Sequence, residues 1–222
     1  MKSLIFIILF LSTSLFSYSQ NNDFMVWTKI GVKAMIVKRL SFSGELNTRI
    51  GGSGVETFFP QIGFEYKVLK WLRPSIEYRF IVDKNKYGNY KSSNRLNFNI
   101  NLKKSVSNLG LAFRIRYQSA FNRLSSQSYN PDFDQAIRLK PAIDYKIDNT
   151  IFTPFVSSEF FYDPQFGPHG PGFSKVRLGV GSKFNLKGPH SASFKYQLDK
   201  KFTNYKNGVR HVIAIGYSYK IK

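Results

Sequence analysis

Basic residues at two-residue spacing are the groups in this chain whose types and spacing could do chemistry. Arg114 and Arg116 flank one apolar residue, and Arg138 and Lys140 do the same. Because successive side chains of a β-strand point to opposite faces, residues two apart share a face. Such pairs would place a row of positive charge along one side of a sheet, where it could bind anions or hold carboxylates in salt bridges.

The charged residues predicted on this face contain more cations than carboxylates. The candidates are Glu45, Arg49, Glu65, Glu77, Arg79, Arg95, Arg114, Arg116, Arg138, Lys140 and Arg177. The same alternation places further charged residues on this polar face, which would be the inner face of a closed sheet. They are Lys29, Lys33, Lys67, Arg73, Lys103, Lys175, Lys183 and Lys195, with the carboxylates Asp144, Glu159 and Asp199. The simpler interpretation is a structural network of salt bridges, in which losing one partner leaves a poorly solvated charge. The alternative is a basic lumen that attracts anions, and the excess of cations slightly favours it.

Catalytic and metal-binding patterns are weak. His190 precedes Ser191, and outer-membrane phospholipases use a His–Ser pair in which the histidine activates the serine nucleophile. Adjacent strand residues point to opposite faces, however, so the hydrogen bond that would activate Ser191 is not expected. His169 lies in a Gly- and Pro-rich loop that lacks the Gly-Lys-Ser/Thr ending of a phosphate-binding loop. Three histidines and no cysteine make a poor metal-ligand set. We therefore predict no catalytic residue, cofactor or metal; an outer-membrane esterase is the least favoured alternative.

Strict alternation of apolar and polar residues predicts the strands that carry these charges, most clearly over residues 95–103. The apolar positions there are Leu96, Phe98, Ile100 and Leu102. One face of such a strand is apolar and the other polar. In a secreted β-sandwich the apolar face packs on a core, whereas in an outer-membrane barrel it contacts lipid and the polar face lines the lumen.

The N-terminus favours the membrane alternative. Lys2, the apolar run from Leu4 to Leu11 and the small residues around Tyr18 are typical of an export signal, with cleavage expected before Gln20. We therefore expect residues 1–19 to be a signal peptide and residues 20–222 to form one domain. No later segment of the sequence is long and apolar enough to form a transmembrane helix. If the mature chain crosses a membrane, it must therefore do so as a closed β-barrel.

The composition agrees with an exported barrel. Of 222 residues, 17% are aromatic, with 13 Tyr and 22 Phe, and aromatic residues favour strands and membrane interfaces. The net charge of +20 would suggest nucleic acid in a cytosolic protein, but export removes the chain from that compartment. The charge must instead belong to a lumen, to anionic lipid or to interfacial side chains.

Eleven strand-like segments follow one another, with short and long connections in alternation. They are residues 27–37, 41–50, 57–68, 73–82, 93–103, 109–121, 135–146, 151–162, 173–186, 190–202 and 210–221. The long connections are expected at 51–56, 83–92, 122–134, 163–172 and 203–209. This pattern predicts an all-β fold: a single antiparallel up-and-down transmembrane barrel of 10–12 strands with the long loops outside the cell. Because single-chain bacterial barrels have even strand numbers, we expect ten or twelve.

Interfacial tyrosines are expected near strand ends. The candidates are Tyr66, Tyr78, Tyr117, Tyr145, Tyr217 and Tyr219.

Several short segments resemble an uncharacterised group of Bacteroidota outer-membrane proteins, domain of unknown function 2490. They are Asp23 to Trp27, Ser43 to Arg49, Pro74 to Arg79, Arg114 to Tyr117 and His211 to Tyr219. The resemblance covers nearly all of the chain after the signal and implies an outer-membrane β-barrel, but no activity. The alternating C-terminal strand also resembles the segment that outer-membrane assembly machinery recognises, although it ends on Lys222 instead of an aromatic residue.

The sequence therefore predicts a non-catalytic, porin-like outer-membrane barrel, structural or forming a small pore with a basic lumen. Its expected partners are outer-membrane lipid and lipopolysaccharide, the assembly machinery and small anionic solutes, and no nucleic acid. The alternative is a binding or assembly module that acts through the extracellular loops.

Overall fold

A computed structural model describes residues 23–85, 87–121, 135–164, 171–202 and 208–221. The described residues form eleven β-strands and no helix. The strands are β1 (Asp23–Val37), β2 (Leu40–Gly51), β3 (Gly54–Tyr66), β4 (Leu72–Lys84), β5 (Tyr90–Val106), β6 (Leu109–Phe121), β7 (Gln135–Tyr145), β8 (Phe152–Asp163), β9 (Gly172–Asn185), β10 (His190–Lys201) and β11 (Val209–Ile221). None of the described residues belongs to a helix that could cross a membrane. The proposed signal peptide, His169 and the connection at 122–134 lie outside the described residues.

The eleven strands close into one barrel, which confirms the predicted fold class. Each strand pairs antiparallel with the next, and β11 closes the sheet on β1 in parallel register, from Asp23 opposite Arg210 to Ala34 opposite Ile221. The expectation of ten or twelve strands is wrong for the described chain. In a meander with an odd number of strands the first and last run in the same direction, so a parallel pair must close the barrel.

Two rims follow from this topology. One, the turn rim, carries the connections at 38–39, 67–71, 107–108, 146–151 and 186–189. The other, the loop rim, carries the start of β1 and the connections that were predicted to be long. The connection predicted at 51–56 is wrong: Gly51 pairs with Gly54, so two residues join β2 to β3. The positive φ of 87° at Gly54 is a conformation that glycine adopts at little cost.

The two faces of the sheet are inverted relative to a globular core. Fully buried side chains include Asn97, Glu159 and Gln197, all polar and all inside the barrel. Ile62 and Phe98, by contrast, are large apolar residues exposed on the outer face. The alternation read from the sequence therefore places polar groups inside and apolar groups outside.

Exposed aromatic residues concentrate at both rims. Those near the turn rim are Tyr66, Trp71, Tyr145, Phe152 and Tyr219, and those near the loop rim are Phe24, Tyr90, Phe121, Phe173 and Phe202. The placement of Tyr78 at a strand end is wrong. It lies midway along β4, and its hydroxyl donates to Asn94 Oδ1 at 2.6 Å.

The parallel seam predicts a disulfide between directly opposed positions. Thr28 and Ile215 are directly opposed, so their Cα atoms lie about 4.8 Å apart. Cysteines at these two positions would be within bridging distance. The control pair, Thr28 with Tyr217, lies on the same face but two residues out of register, about 8 Å apart. We expect oxidation of the folded barrel to cross-link only the first pair, read from peptide mass maps. The chain has no native cysteine to compete. Equal yields from the two pairs would contradict the register.

Candidate functional site

The candidate site is the interior of the barrel, which holds two cavities. The turn-side cavity has a volume of about 820 Å³, and the loop-side cavity about 500 Å³. Five residues line both cavities, and we call them the waist: Trp27, Asn47, Arg114, Lys140 and Lys195. The interior is therefore two chambers that meet at a cationic layer.

Glu159 on β8 is the centre of the largest salt-bridge cluster. Its carboxylate lies 2.7 Å from Nη2 of Arg114, 2.8 Å from Nη2 of Arg138 and 3.5 Å from Nη1 of Arg177. These four residues come from the consecutive strands β6, β7, β8 and β9. Only 3% of the Glu159 side chain is exposed, so its charge depends on these arginines for solvation.

Arg177 connects this cluster to a second carboxylate. Its Nε and Nη2 donate to the two oxygens of Asp199 at 2.8 and 2.7 Å, the bidentate geometry that a planar guanidinium favours. Gln197 Nε2 also donates to Asp199, at 2.8 Å. One arginine thereby links β8 with β10 across β9.

Glu77 forms a separate cluster on the other side of the barrel. Nη2 of Arg116 lies 2.9 Å from both of its oxygens, and Nη2 of Arg79 lies 3.5 Å away. Asn99 donates to Glu77 at 3.1 Å and accepts from Nε of Arg116 at 2.5 Å. Arg116 is 2% exposed, so it is a fixed part of the wall and not a mobile charge.

Two further carboxylates, Glu45 and Glu65, bind lysines nearer the turn rim. Lys29 Nζ lies 3.4 Å from Glu45, and Lys33 Nζ lies 2.9 Å from Glu65. Gln61 joins Glu45 to the arginines, since its Nε2 donates to Glu45 at 3.5 Å and its Oε1 accepts from Nε of Arg79. Both lysine side chains are 42% exposed, so these pairs are more hydrated than those of Glu159.

The structure brings most of the predicted cations to one chamber. Those that line the loop-side cavity are Arg49, Arg79, Arg95, Arg114, Arg116, Arg138, Lys140, Lys175, Arg177 and Lys195. The prediction that Lys67 points into the barrel is wrong. Lys67 follows the end of β3 and is exposed in a turn. The carboxylates in the described lining are Glu56, Asp83, Glu159 and Asp199, which the lysines and arginines far outnumber.

Three inward aromatic residues were missed by the sequence analysis. Trp27, Phe59 and Phe161 lie among the arginines, with the Cζ of Arg49 4.4 Å from the Trp27 ring centre. The Cζ of Arg138 lies 4.5 Å from the ring centre of Phe161. Adjacent aromatic pairs, Phe58-Phe59 and Phe160-Phe161, were the available signal, because one member of each pair must point inward.

The two histidines in the described part of the chain, His190 and His211, bond to tyrosines and not to serine. His190 Nδ1 shares a hydrogen bond with Tyr217 at 2.7 Å, whereas Ser191 donates to the carbonyl of Ser218 at 3.4 Å. His211 Nδ1 is bonded to Tyr196 at 2.6 Å. Within the described part of the chain, no group of three or more His, Cys, Asp or Glu side chains is arranged to hold a metal ion.

A profile of the family described as protein of unknown function (DUF2490) matches residues 24–210. No curated protein matches the chain.

Glu159 should be essential for stability. Replacing it by glutamine keeps the shape but removes the charge shared by three arginines, so we expect the free energy of unfolding to fall by about 3–5 kcal/mol. Urea titration of the barrel in detergent, followed by gel mobility, measures the loss. The control is Glu65→Gln, whose lysine partner is partly hydrated, with an expected loss below about 1 kcal/mol. Equal losses would contradict the central role of Glu159.

Proposed function

The chain belongs to the family described as protein of unknown function (DUF2490), and from that premise we propose that it is a non-catalytic barrel of a Gram-negative outer membrane whose lumen prefers anions. Three features support this proposal: the apolar outer face, the closed sheet and the charge of the interior.

The outer face supports a membrane location. Large apolar residues are exposed on every strand of the barrel, far beyond the patch that a water-exposed protein usually tolerates. Aromatic residues flank this surface at both rims, as they do at the two interfaces of a bilayer. Strands of 11 to 17 residues are long enough to cross it. A closed sheet leaves no edge strand with unpaired backbone groups in lipid.

The excess of cations around the loop-side cavity is the observation that carries the functional proposal. Its described lining presents lysines and arginines from most strands, while Glu159 and Asp199 are already held by arginines. Positive charge on a narrow wall of low dielectric concentrates anions and repels cations. The effect is screened over about 8–10 Å near physiological ionic strength, so it is strongest where the interior is narrow.

Ion selectivity tests the basic lumen. We expect the barrel in planar bilayers to conduct with a reversal potential that shows anion preference at low salt. Lys140→Gln with Lys195→Gln removes two waist charges and leaves in place the three arginines that bind Glu159. Coulomb's law at roughly 10 Å in water gives about 0.4 kcal/mol for each ion. Because each change weakens both the attraction of anions and the repulsion of cations, it should lower the anion-to-cation permeability ratio by about fourfold at low salt.

The matched control for this measurement is Lys187→Gln, an exposed lysine in the turn between β9 and β10, which should leave the ratio unchanged. At 1 M salt the wild-type and variant ratios should converge. Cation preference in the unmodified protein would refute the basic lumen. A folded barrel without conductance would show that the interior is closed by its own salt bridges and that the role is structural.

Orientation is tested by short epitope tags at the two rims. We propose that the loop rim faces the cell exterior, which also places Asp23 on that side. A tag beside Gly88, in the exposed connection after β4, should be labelled on intact cells. The control tag beside Gly188, in the turn before β10, should be labelled only after the outer membrane is broken. The opposite result would invert the topology.

A further inference from the structure

Three neighbouring side chains inside the barrel carry buried hydrogen-bond donors without an acceptor. They are Nε1 of Trp27, Nδ2 of Asn47 and Nε of Arg49, none of which meets an acceptor among the described residues. Leaving a buried donor unpaired is costly, and most buried polar groups in proteins are paired. Three such donors on adjacent strands indicate a place where an acceptor from outside the chain binds.

The three donors share one wall of the loop-side cavity. Trp27 on β1 lies directly opposite Arg49 on β2, and Asn47 is the next inward residue along β2. All three line this cavity, and Trp27 and Asn47 also belong to the waist. These three side chains therefore lie close to the place where the two chambers meet.

Arg49 is also a cation without a carboxylate at ion-pair distance, although Asp83 lines the same cavity and attracts it from further away. In the described part of the chain its guanidinium forms no ion pair, and its contacts are the rings of Trp27 at 4.4 Å and Phe59 at 5.1 Å. The same two rings bring other arginines near it. Arg177 lies 4.9 Å from the Trp27 ring centre, and Arg79 lies 5.3 Å from that of Phe59. Arg177 is paired with Asp199, and Arg79 is paired with Glu77. Arg49 has no such close partner among the described residues.

We propose that Trp27, Asn47 and Arg49 bind the phosphate group of a small solute, either free phosphate or a phosphate monoester. Every unpaired atom at this site is an N–H donor, and a phosphate oxygen is an acceptor that each donor can use. The negative charge of the group would balance Arg49 and its neighbouring arginines. The cavity volume of about 500 Å³ exceeds that of a phosphate and leaves room for an organic substituent. The inference rests on the proposed function only in requiring that solutes reach the interior.

The test measures phosphate-dependent stability of the full barrel in detergent. Heat-induced unfolding is followed by gel mobility while inorganic phosphate or glycerol phosphate replaces chloride at constant ionic strength. A ligand that binds only the folded barrel raises the unfolding temperature with its concentration, and the titration gives a dissociation constant. Both compounds should act if the phosphate group is recognised. An effect of glycerol phosphate alone would assign the site to esters, and an effect of inorganic phosphate alone to the free ion.

Two variants address the donors separately. Arg49→Gln should weaken phosphate binding by about tenfold or more, because it removes a charged donor. Trp27→Phe keeps the ring and loses only the N–H, so a smaller loss of about fivefold is expected. Each shift is compared with the same variant in chloride, which separates ligand binding from a change in basal stability. If Arg49→Gln does not fold, Arg49→Lys keeps the charge while removing the Nε donor.

The matched control is Arg210→Gln, which removes one positive charge from the same cavity wall. Its guanidinium is already paired with Asp23 at 2.6 Å, so phosphate affinity should change by less than about twofold. An equal loss in Arg210→Gln and Arg49→Gln would overturn the site in favour of general electrostatic attraction. No stabilisation beyond that of chloride in the unmodified barrel would also overturn it.

Conductance separates the two proposals. An anion-selective barrel without a phosphate-specific shift refutes this site and leaves the proposed function standing. A phosphate-specific shift that Arg49→Gln abolishes, in a barrel that does not conduct, supports the site and refutes the pore.

Discussion

The interior of this barrel depends on a few carboxylates that are each shared among several cations. Glu159 holds three arginines from neighbouring strands, and Glu77 holds two. Charges that leave water lose their hydration, and only close opposite charges and hydrogen bonds can replace it. Because cations exceed carboxylates in the interior, Glu159 and Glu77 each serve several basic side chains, whereas Glu45 and Glu65 each pair with one lysine. The strands are thus tied together across the lumen as well as along the backbone.

The shortage of carboxylates also decides what the interior could do. Some cations are neutralised and fixed, such as Arg116, while Arg49 lies against aromatic rings with an unpaired donor. Aromatic faces partly stabilise a guanidinium, since their negative quadrupole attracts it. They supply no acceptor for its N–H groups, however. The wall is therefore held by ion pairs around Glu159 and Glu77, whereas around Trp27 it keeps unpaired donors, on which the proposed anion site is based.

Closure imposes the second constraint on the molecule. The parallel pairing of β1 with β11 joins the two ends of the described chain, and the ion pair of Asp23 with Arg210 lies at the start of that seam. Every strand then has two neighbours, so the sheet has no edge. The even strand number of single-chain bacterial barrels was a poor guide here, because the eleven segments seen in the sequence are all present as strands.

The sequence by itself determined the strands, the two faces and the all-β barrel, because alternation with a period of two is a local property of the chain. The inward phase of Arg114, Arg138 and Arg177 followed from it. Only the tertiary structure decided that these three meet at Glu159, that Arg49 makes no close ion pair among the described residues and that the closing pair is parallel. Those outcomes depend on register, strand tilt and closure, which bring together residues far apart in sequence and leave no periodic signal in it.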